Sequence, residues 1–166
     1  MEDVKQVACG SSHLAILTRD GSVFTWGEAS EGALGHGERG RHVVSSPKKI
    51  ESLDGIEIAQ VDCNKGRFHP HTAAVSVDGN VYTWGSGYKG KLGHGNADDV
   101  YIPKKIEMES AVRVNSVCCG GIHTGFITSK KISFVHLFTL ISIQSQFFFS
   151  PAEGELYTFG CGSDGR

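Results

Sequence analysis

The sequence has no surplus of either charge: 16 basic side chains stand against 18 acidic ones in 166 residues, a formal net charge of -2. That balance excludes a bulk electrostatic pull toward nucleic acid or an anionic membrane, so any contact with DNA would need a local patch. An apolar leader is also lacking. Met1 is followed by the charged Glu2, Asp3 and Lys5, which gives no secretory signal and makes a cytoplasmic or nuclear location the expectation. Cys9, Cys63, Cys118, Cys119 and Cys161 are an odd set with no pairing pattern, so reduced thiols are expected rather than disulfides.

The familiar signatures of chemistry are missing as well. Neither G-x-x-x-x-G-K-[ST] nor a strand-linked G-x-G-x-x-G opening a helix occurs, which excludes the usual phosphate cradles. Cys63, His69 and His71, or Cys118, Cys119 and His123, invite a metal reading. Neither set has the paired C-x2-C ligands of structural zinc, and no metal or cofactor is expected. No Ser-His-Asp or Cys-His arrangement stands outside the repeats described below, and no carboxylate pair is set apart from turns. An enzyme with covalent chemistry of its own is therefore not expected.

What the chain does have is glycine, 22 residues of it, and a strict internal period. Gly32-Ala33-Leu34-Gly35-His36-Gly37 returns as Gly90-Lys91-Leu92-Gly93-His94-Gly95, and each copy follows a tryptophan, Trp26 or Trp84, at the same distance. Self-similarity of this length marks units that bury their apolar faces against one another. Within a unit, short apolar runs alternate with turn residues, the pattern of an all-β fold. Val4 to Cys9 and His13 to Thr18 read as strands, Asp20-Gly21 as a hairpin turn, and Ser22 to Trp26 as a third strand. A polar connection from Glu38 to Ser46 then leads to Pro47-Lys48-Lys49-Ile50-Glu51.

The second unit repeats this order with Ile58 to Cys63, Thr72 to Val77, Asp78-Gly79, Val81 to Trp84 and Pro103-Lys104-Lys105-Ile106-Glu107. Cys63 and His71 stand four residues further apart than Cys9 and His13, a local insertion around Lys65 to Phe68. The third unit opens at Val112 to Cys119. Boundaries fall at 1–51, 52–107 and 108–166.

The recurring positions are Gly10, His13, Gly21, Trp26, Gly27, Gly32, Leu34, Gly35, His36 and Gly37 in the first unit. They continue as His71, Gly79, Trp84, Gly85, Gly90, Leu92, Gly93, His94 and Gly95 in the second, and as Gly120, His123, Gly154 and Gly160 in the third. Catalytic residues do not normally recur once per repeat, so these are read as structural. The histidines are expected to fix turns by bonding their neighbours, the glycines to allow close approach and positive φ, and the aromatics at 26, 84 and 159 to pack between units.

Four short strands per period are the signature of a propeller blade. The ordered motifs V-x-C-G-x-x-H, D-G-x-V-Y/F-T-W-G and G-x-L-G-H-G resemble the regulator-of-chromosome-condensation repeat family over nearly the whole chain. The resemblance implies a seven-bladed β-propeller, of which this chain would supply a part. It also implies a protein partner, met either by an interaction or scaffolding surface or by an exchange factor for a Ran-like small GTPase. Chromatin is a partner by that resemblance alone.

The third unit departs from the pattern at residues 130–152, an apolar insertion where a hairpin turn is expected. Its uncharged part, Ile132 to Phe149, is near the lower length for a bilayer span. His136, Gln144, Gln146 and the need to leave and re-enter one tight turn argue against a membrane helix. Translated intronic sequence is the reading offered for it, since Phe147-Phe148-Phe149-Ser150-Pro151 is what a polypyrimidine tract can encode and Glu153 resumes the repeat cleanly. The last residues, Gly160 to Arg166, align with Gly85 to Lys91, so a fragment or truncated isoform is expected.

Overall fold

The computed structural model describes residues 3–108, 112–128 and 156–160, and within these the fold is all-β. Three antiparallel sheets follow one another along the chain. The first holds β1 (Val4–Cys9), β2 (His13–Thr18), β3 (Val23–Glu28) and β4 (Val43–Lys49). The second holds β5 (Ile58–Cys63), β6 (His71–Ser76), β7 (Val81–Gly85) and β8 (Val100–Lys105). The third shows β9 (Val114–Cys119), β10 (His123–Thr128) and β11 (Leu156–Gly160) among the described residues. The 130–152 insertion and Gly154 lie outside them.

Local sequence sets the hairpins. At Asp20-Gly21 the Gly21 amide donates to the Thr18 carbonyl at 3.0 Å and the Thr18 amide to Ser22 at 3.0 Å. At Asp78-Gly79 the same pair of bonds, Gly79 to Ser76 and Ser76 to Asn80, measures 2.9 Å each. Hydrogen bonds from the Thr18 hydroxyl and from Ser22 hold the Asp20 carboxyl below its usual range. The fourth strand differs from expectation. Residues 38–46 were to be a polar connection, but β4 begins at Val43, paired with Glu28, and runs through Pro47. Its position at the sheet edge explains the tolerance, since a proline there removes no amide that a further strand would need.

The sheets stack face to face, with one apolar layer between each neighbouring pair. Between the first and second lie Leu17, Val23, Ile50, Ile58, Val61 and Trp84; between the second and third lie Val75, Val81, Val114, Val117, Phe126 and Phe159. The middle sheet is covered on both faces, and all six residues of β6 are buried. That is why its sequence, HTAAVS, runs small and nearly unbroken instead of alternating with polar residues. Equivalent positions on the outer face of the first sheet are open to solvent: Val7 is 56% exposed where Val61 is 0% and Val117 is 2%.

Candidate interaction face

Successive turns of an antiparallel sheet emerge at alternate edges. The β1–β2, β3–β4, β5–β6, β7–β8 and β9–β10 connections therefore share one edge, which carries both glycine-histidine loops. Side chains of the strands below fix that edge. Thr25 on β3 donates its hydroxyl to the Leu34 carbonyl at 2.6 Å and faces His36 Nε2 at 3.0 Å; Thr83 on β7 does the same to Leu92 at 2.6 Å and His94 at 3.0 Å. With the hydroxyl proton spent on the carbonyl, the imidazole is the donor to the threonine oxygen. Burial lowers the pKa of both histidines, and Lys48 and Lys104 respectively add to that.

A second relay ties one sheet to the next. His13 Nε2 lies 2.8 Å from Thr72 Oγ1, and Thr72 donates to the Ala33 carbonyl at 2.9 Å. One unit later His71 Nε2 lies 2.9 Å from Thr124 Oγ1, which donates to the Lys91 carbonyl at 2.7 Å. Both histidines are wholly buried. Desolvation pulls His13 down to about 4 and His71 to about 3, so each is neutral at physiological pH with its proton on Nε2. These side chains were expected to fix their own turns; instead they bond across the inter-sheet junction. The reason is room: Gly27 and Gly85 pair opposite His13 and His71, and a Cβ there would sit 2.7 and 2.6 Å from the histidine Cα. In the third sheet Gly160 faces His123 in the same register.

The aromatic register is shared too. Trp26, Trp84 and Phe159 pair opposite Leu14, Thr72 and Thr124. Gly35, at φ +77°, brings its Cα so near Trp84 that a Cβ would stand 2.8 Å from the indole Nε1. Gly93, at φ +76°, stands equally close to the Phe159 ring. Each loop thus seats the aromatic of the following sheet, and only glycine allows both the left-handed backbone and the contact. Leu34 and Leu92 are buried beneath the same loops, and Gly32 packs on the Tyr101 backbone of the second sheet. Gly10 lies against the Asn64 carbonyl, and Gly21 and Gly79 against the chain entering β5 and β9. Gly37, Gly90 and Gly95 also adopt positive φ, whereas Gly120 has more room.

Several residues of the junctions occupy no fixed position of the repeated motifs. The Gln6 amide receives the Val61 N–H at 3.1 Å and donates to the Val61 carbonyl at 2.8 Å, and Gln60 treats Val117 identically at 3.1 Å for both bonds. The signal was the glutamine recurring at the third position of the first strand in two units. Asp62 Oδ2 accepts the Cys119 amide at 2.7 Å. Lys91, which stands where the first unit has Ala33, is wholly buried and donates its ammonium to the His69 carbonyl. Burial pulls its pKa down to about 8, against the opposing pull of Glu31.

Cys9, Cys63, Cys118 and Cys119 are free thiols, and burial raises Cys63 to about 12 and Cys119 well above the ordinary value. Thiols so held are poor nucleophiles. Among the described residues no group of three His, Cys, Asp or Glu side chains is placed to hold a metal ion, and no helix is long and apolar enough to cross a membrane.

Comparison with known proteins agrees with this geometry. The Regulator of chromosome condensation (RCC1) repeat matches residues 20–69 and 78–127, and a second description of the same repeat matches residues 4–33. The E3 ubiquitin-protein ligase HERC2 of Homo sapiens is 40% identical over 70% of this chain and 2% of its own length. The Ultraviolet-B receptor UVR8 of Arabidopsis thaliana is 38% identical over 73% of this chain and 26% of its own. Among solved structures, human WBSCR16 aligns with a TM-score of 0.65 at 30% identity over 75% of this chain and 30% of that one. Prp20p from Saccharomyces cerevisiae, described with its binding properties to Gsp1p and histones, aligns with a TM-score of 0.61 at 25% identity, over 71% and 29%. The chain therefore spans less than a third of each of these proteins.

Proposed function

This chain belongs to the regulator of chromosome condensation repeat family, and from that premise we propose that it serves as a protein-interaction surface, a run of propeller blades whose loop edge docks or scaffolds another protein. One observation carries the reading. The polar residues that recur are consumed by the scaffold, His13 and His71 on threonines and Thr25 and Thr83 on loop carbonyls. Beside the recurring glycine-histidine loops, the same edge carries connections that differ from one unit to the next, the short turn 10–12 of the first sheet becoming the longer loop 64–70 of the second. Binding residues are typically carried on loops held by a rigid frame. The repeat boundaries fall near 51 and 107, and the recurring glycines, histidines and aromatics act as frame residues.

The ligase and receptor activities in the relatives' names are not carried over, because the matched stretch is repeats alone and fold does not give function. A second reading, nucleotide exchange on a Ran-like GTPase, is favoured by the likeness to Prp20p, whose description names Gsp1p and histones. Such exchange would work by favouring the nucleotide-free GTPase, with no cofactor on this chain. A cytoplasmic or nuclear location accords with either reading.

The discriminating measurement is release of labelled GDP from Ran in the presence of the purified protein. Acceleration at micromolar protein supports exchange; unchanged release removes it. Affinity capture with the tagged chain then tests the interaction reading, which fails if no partner is retained above a control in which the loop edge is disrupted.

A further inference from the structure

The β5–β6 connection breaks the repeat. Its counterparts in the first and third sheets are the short turns 10–12 and 120–122, whereas this one runs from Asn64 to Pro70. The extra residues fill no core. Lys65 and Arg67 are exposed, and Phe68 is 68% exposed, an unusual place for a bare phenyl ring.

The loop is nonetheless held firmly at both ends. On one side the Ser11 amide donates to the Asn64 carbonyl at 3.1 Å, the Ser11 hydroxyl to the Gly66 carbonyl at 2.5 Å, and Asn64 Nδ2 to the same carbonyl at 3.2 Å. Gly66 also lies so close to Gly121 of the third sheet that a Cβ on it would be 2.6 Å from the Gly121 Cα. On the other side His69 sits at φ +57°, its ring stacked on Tyr88 at 4.1 Å and 12°, its Nδ1 3.1 Å from Glu31 Oε1, and its carbonyl bound by the buried Lys91. A conformation that costs energy is kept here by many contacts, a pattern that marks binding segments. Holding the tip in place in advance lowers the entropy lost when something binds it.

The charges at the tip are one-sided. Arg67 lies over the Phe68 ring at 5.5 Å and Lys89 over the Tyr88 ring at 5.7 Å, and among the described residues neither has a carboxylate partner. Acids near the tip are engaged elsewhere: Asp62 pairs with Lys65 at 3.1 Å, Glu31 with His69, and Asp99 accepts the Gly87 amide at 3.0 Å, while Asp98 stands beside Gly87 at the margin of the patch. Resting on the protein-interaction reading, we infer that the Phe68–Arg67 tip, flanked by Tyr88 and Lys89, is the docking point for an acidic segment of a partner protein, one whose carboxylates flank an apolar side chain. The apolar side chain covers Phe68 and the carboxylates meet Arg67 and Lys89. A nucleic acid fits less well. Two unpaired cations make a short track for a phosphate backbone.

The test is selection of a random twelve-residue peptide display library on the full chain, followed by fluorescence anisotropy with the selected peptides. The expected sequences are rich in Asp and Glu beside Leu, Ile or Phe. Phe68→Ala and Arg67→Glu should each weaken binding at least about tenfold, equal to about 1.4 kcal/mol, with the thermal melt unchanged. Ile102→Ser, another exposed apolar position, should leave binding intact. Arg67→Glu should also gain affinity for a peptide in which Lys replaces the acids.

Failure to select any peptide sensitive to Phe68 and Arg67 overturns the inference, as does equal or tighter binding of a fluorescent oligothymidine. Peptides that bind elsewhere overturn it while leaving the interaction reading standing. Failure of partner capture removes that reading separately.

Discussion

Acid should unfold this protein in a way that two named residues set. His13 and His71 are buried and neutral, with pKa values drawn down to about 4 and about 3 from an ordinary 6.5. Below pH 6.5 the unfolded chain takes a proton on each and the native chain does not, so stability present above about pH 7 is lost as pH falls toward the native values. A pH of 5 lies about 1.5 units below the unfolded pKa of each histidine and above both native values, which at about 1.36 kcal/mol per unit is about 2 kcal/mol each. Together they remove about 4 kcal/mol, a large part of the roughly 5–15 kcal/mol that ordinarily holds a domain. The limiting slope is two protons, about 2.7 kcal/mol per pH unit.

The assay is urea unfolding between pH 5 and 7.5, a window above most carboxylate titration, with far-ultraviolet circular dichroism as the signal. His13→Gln with His71→Gln is the control, because glutamine keeps an N–H donor aimed at Thr72 or Thr124 and cannot titrate. The double variant should be less stable at pH 7.5 but flatter with pH, keeping only what His36, His94 and exposed groups contribute. An unchanged pH slope in the double variant, or a wild-type protein equally stable at pH 5 and 7.5, would refute the reasoning.

Three other outcomes follow from the same junctions. Thr72→Val removes both the acceptor for His13 and the donor to Ala33, and should cost about 2–4 kcal/mol in chemical denaturation while Thr72→Ser recovers most of it. Gly35→Ala places a methyl 2.8 Å from Trp84 Nε1 at φ +77° and should cost about 2–4 kcal/mol with a shift in tryptophan emission. Gly95→Ala, with nothing within 4 Å, should cost only about 1–2 kcal/mol from its backbone, read by thermal melts of the two variants. Gln60→Met strands the Val117 N–H and C=O and should lower stability by about 1–3 kcal/mol, seen first as faster hydrogen exchange in β9.

Much of the frame was legible because it rests on short-range chemistry. An Asp-Gly pair between apolar runs makes the same two-bond turn at 20–21 and at 78–79, whatever lies around it. The common register of Trp26 and Trp84 follows from their equal spacing to His13 and His71, whereas Phe159, set much further along the chain from His123, takes the same register by pairing with Thr124 across the sheet. The start of β4 was not legible, since Val43 to Ser46 carry little apolar pattern and their pairing comes from Gly27 and Glu28 across the sheet. Nor was the work of Gln6, Gln60 and Lys91, whose partners lie in the next unit or in a loop of irregular length.

What the sequence by itself determined is the unit: its period, its turns, its strand order and the glycines that clear space. Those depend on residues a few places apart, where chain geometry leaves few choices. Only the tertiary structure decided what each repeated letter does. Val7 and Val61 occupy one position of the repeat, yet one is open to water and the other is sealed. His13 reaches Thr72 and not its own turn, because stacking the sheets brings a hydroxyl to 2.8 Å that is 59 residues away along the chain. Burial and partnership across a junction depend on which surface covers which, and a one-dimensional period holds no record of that.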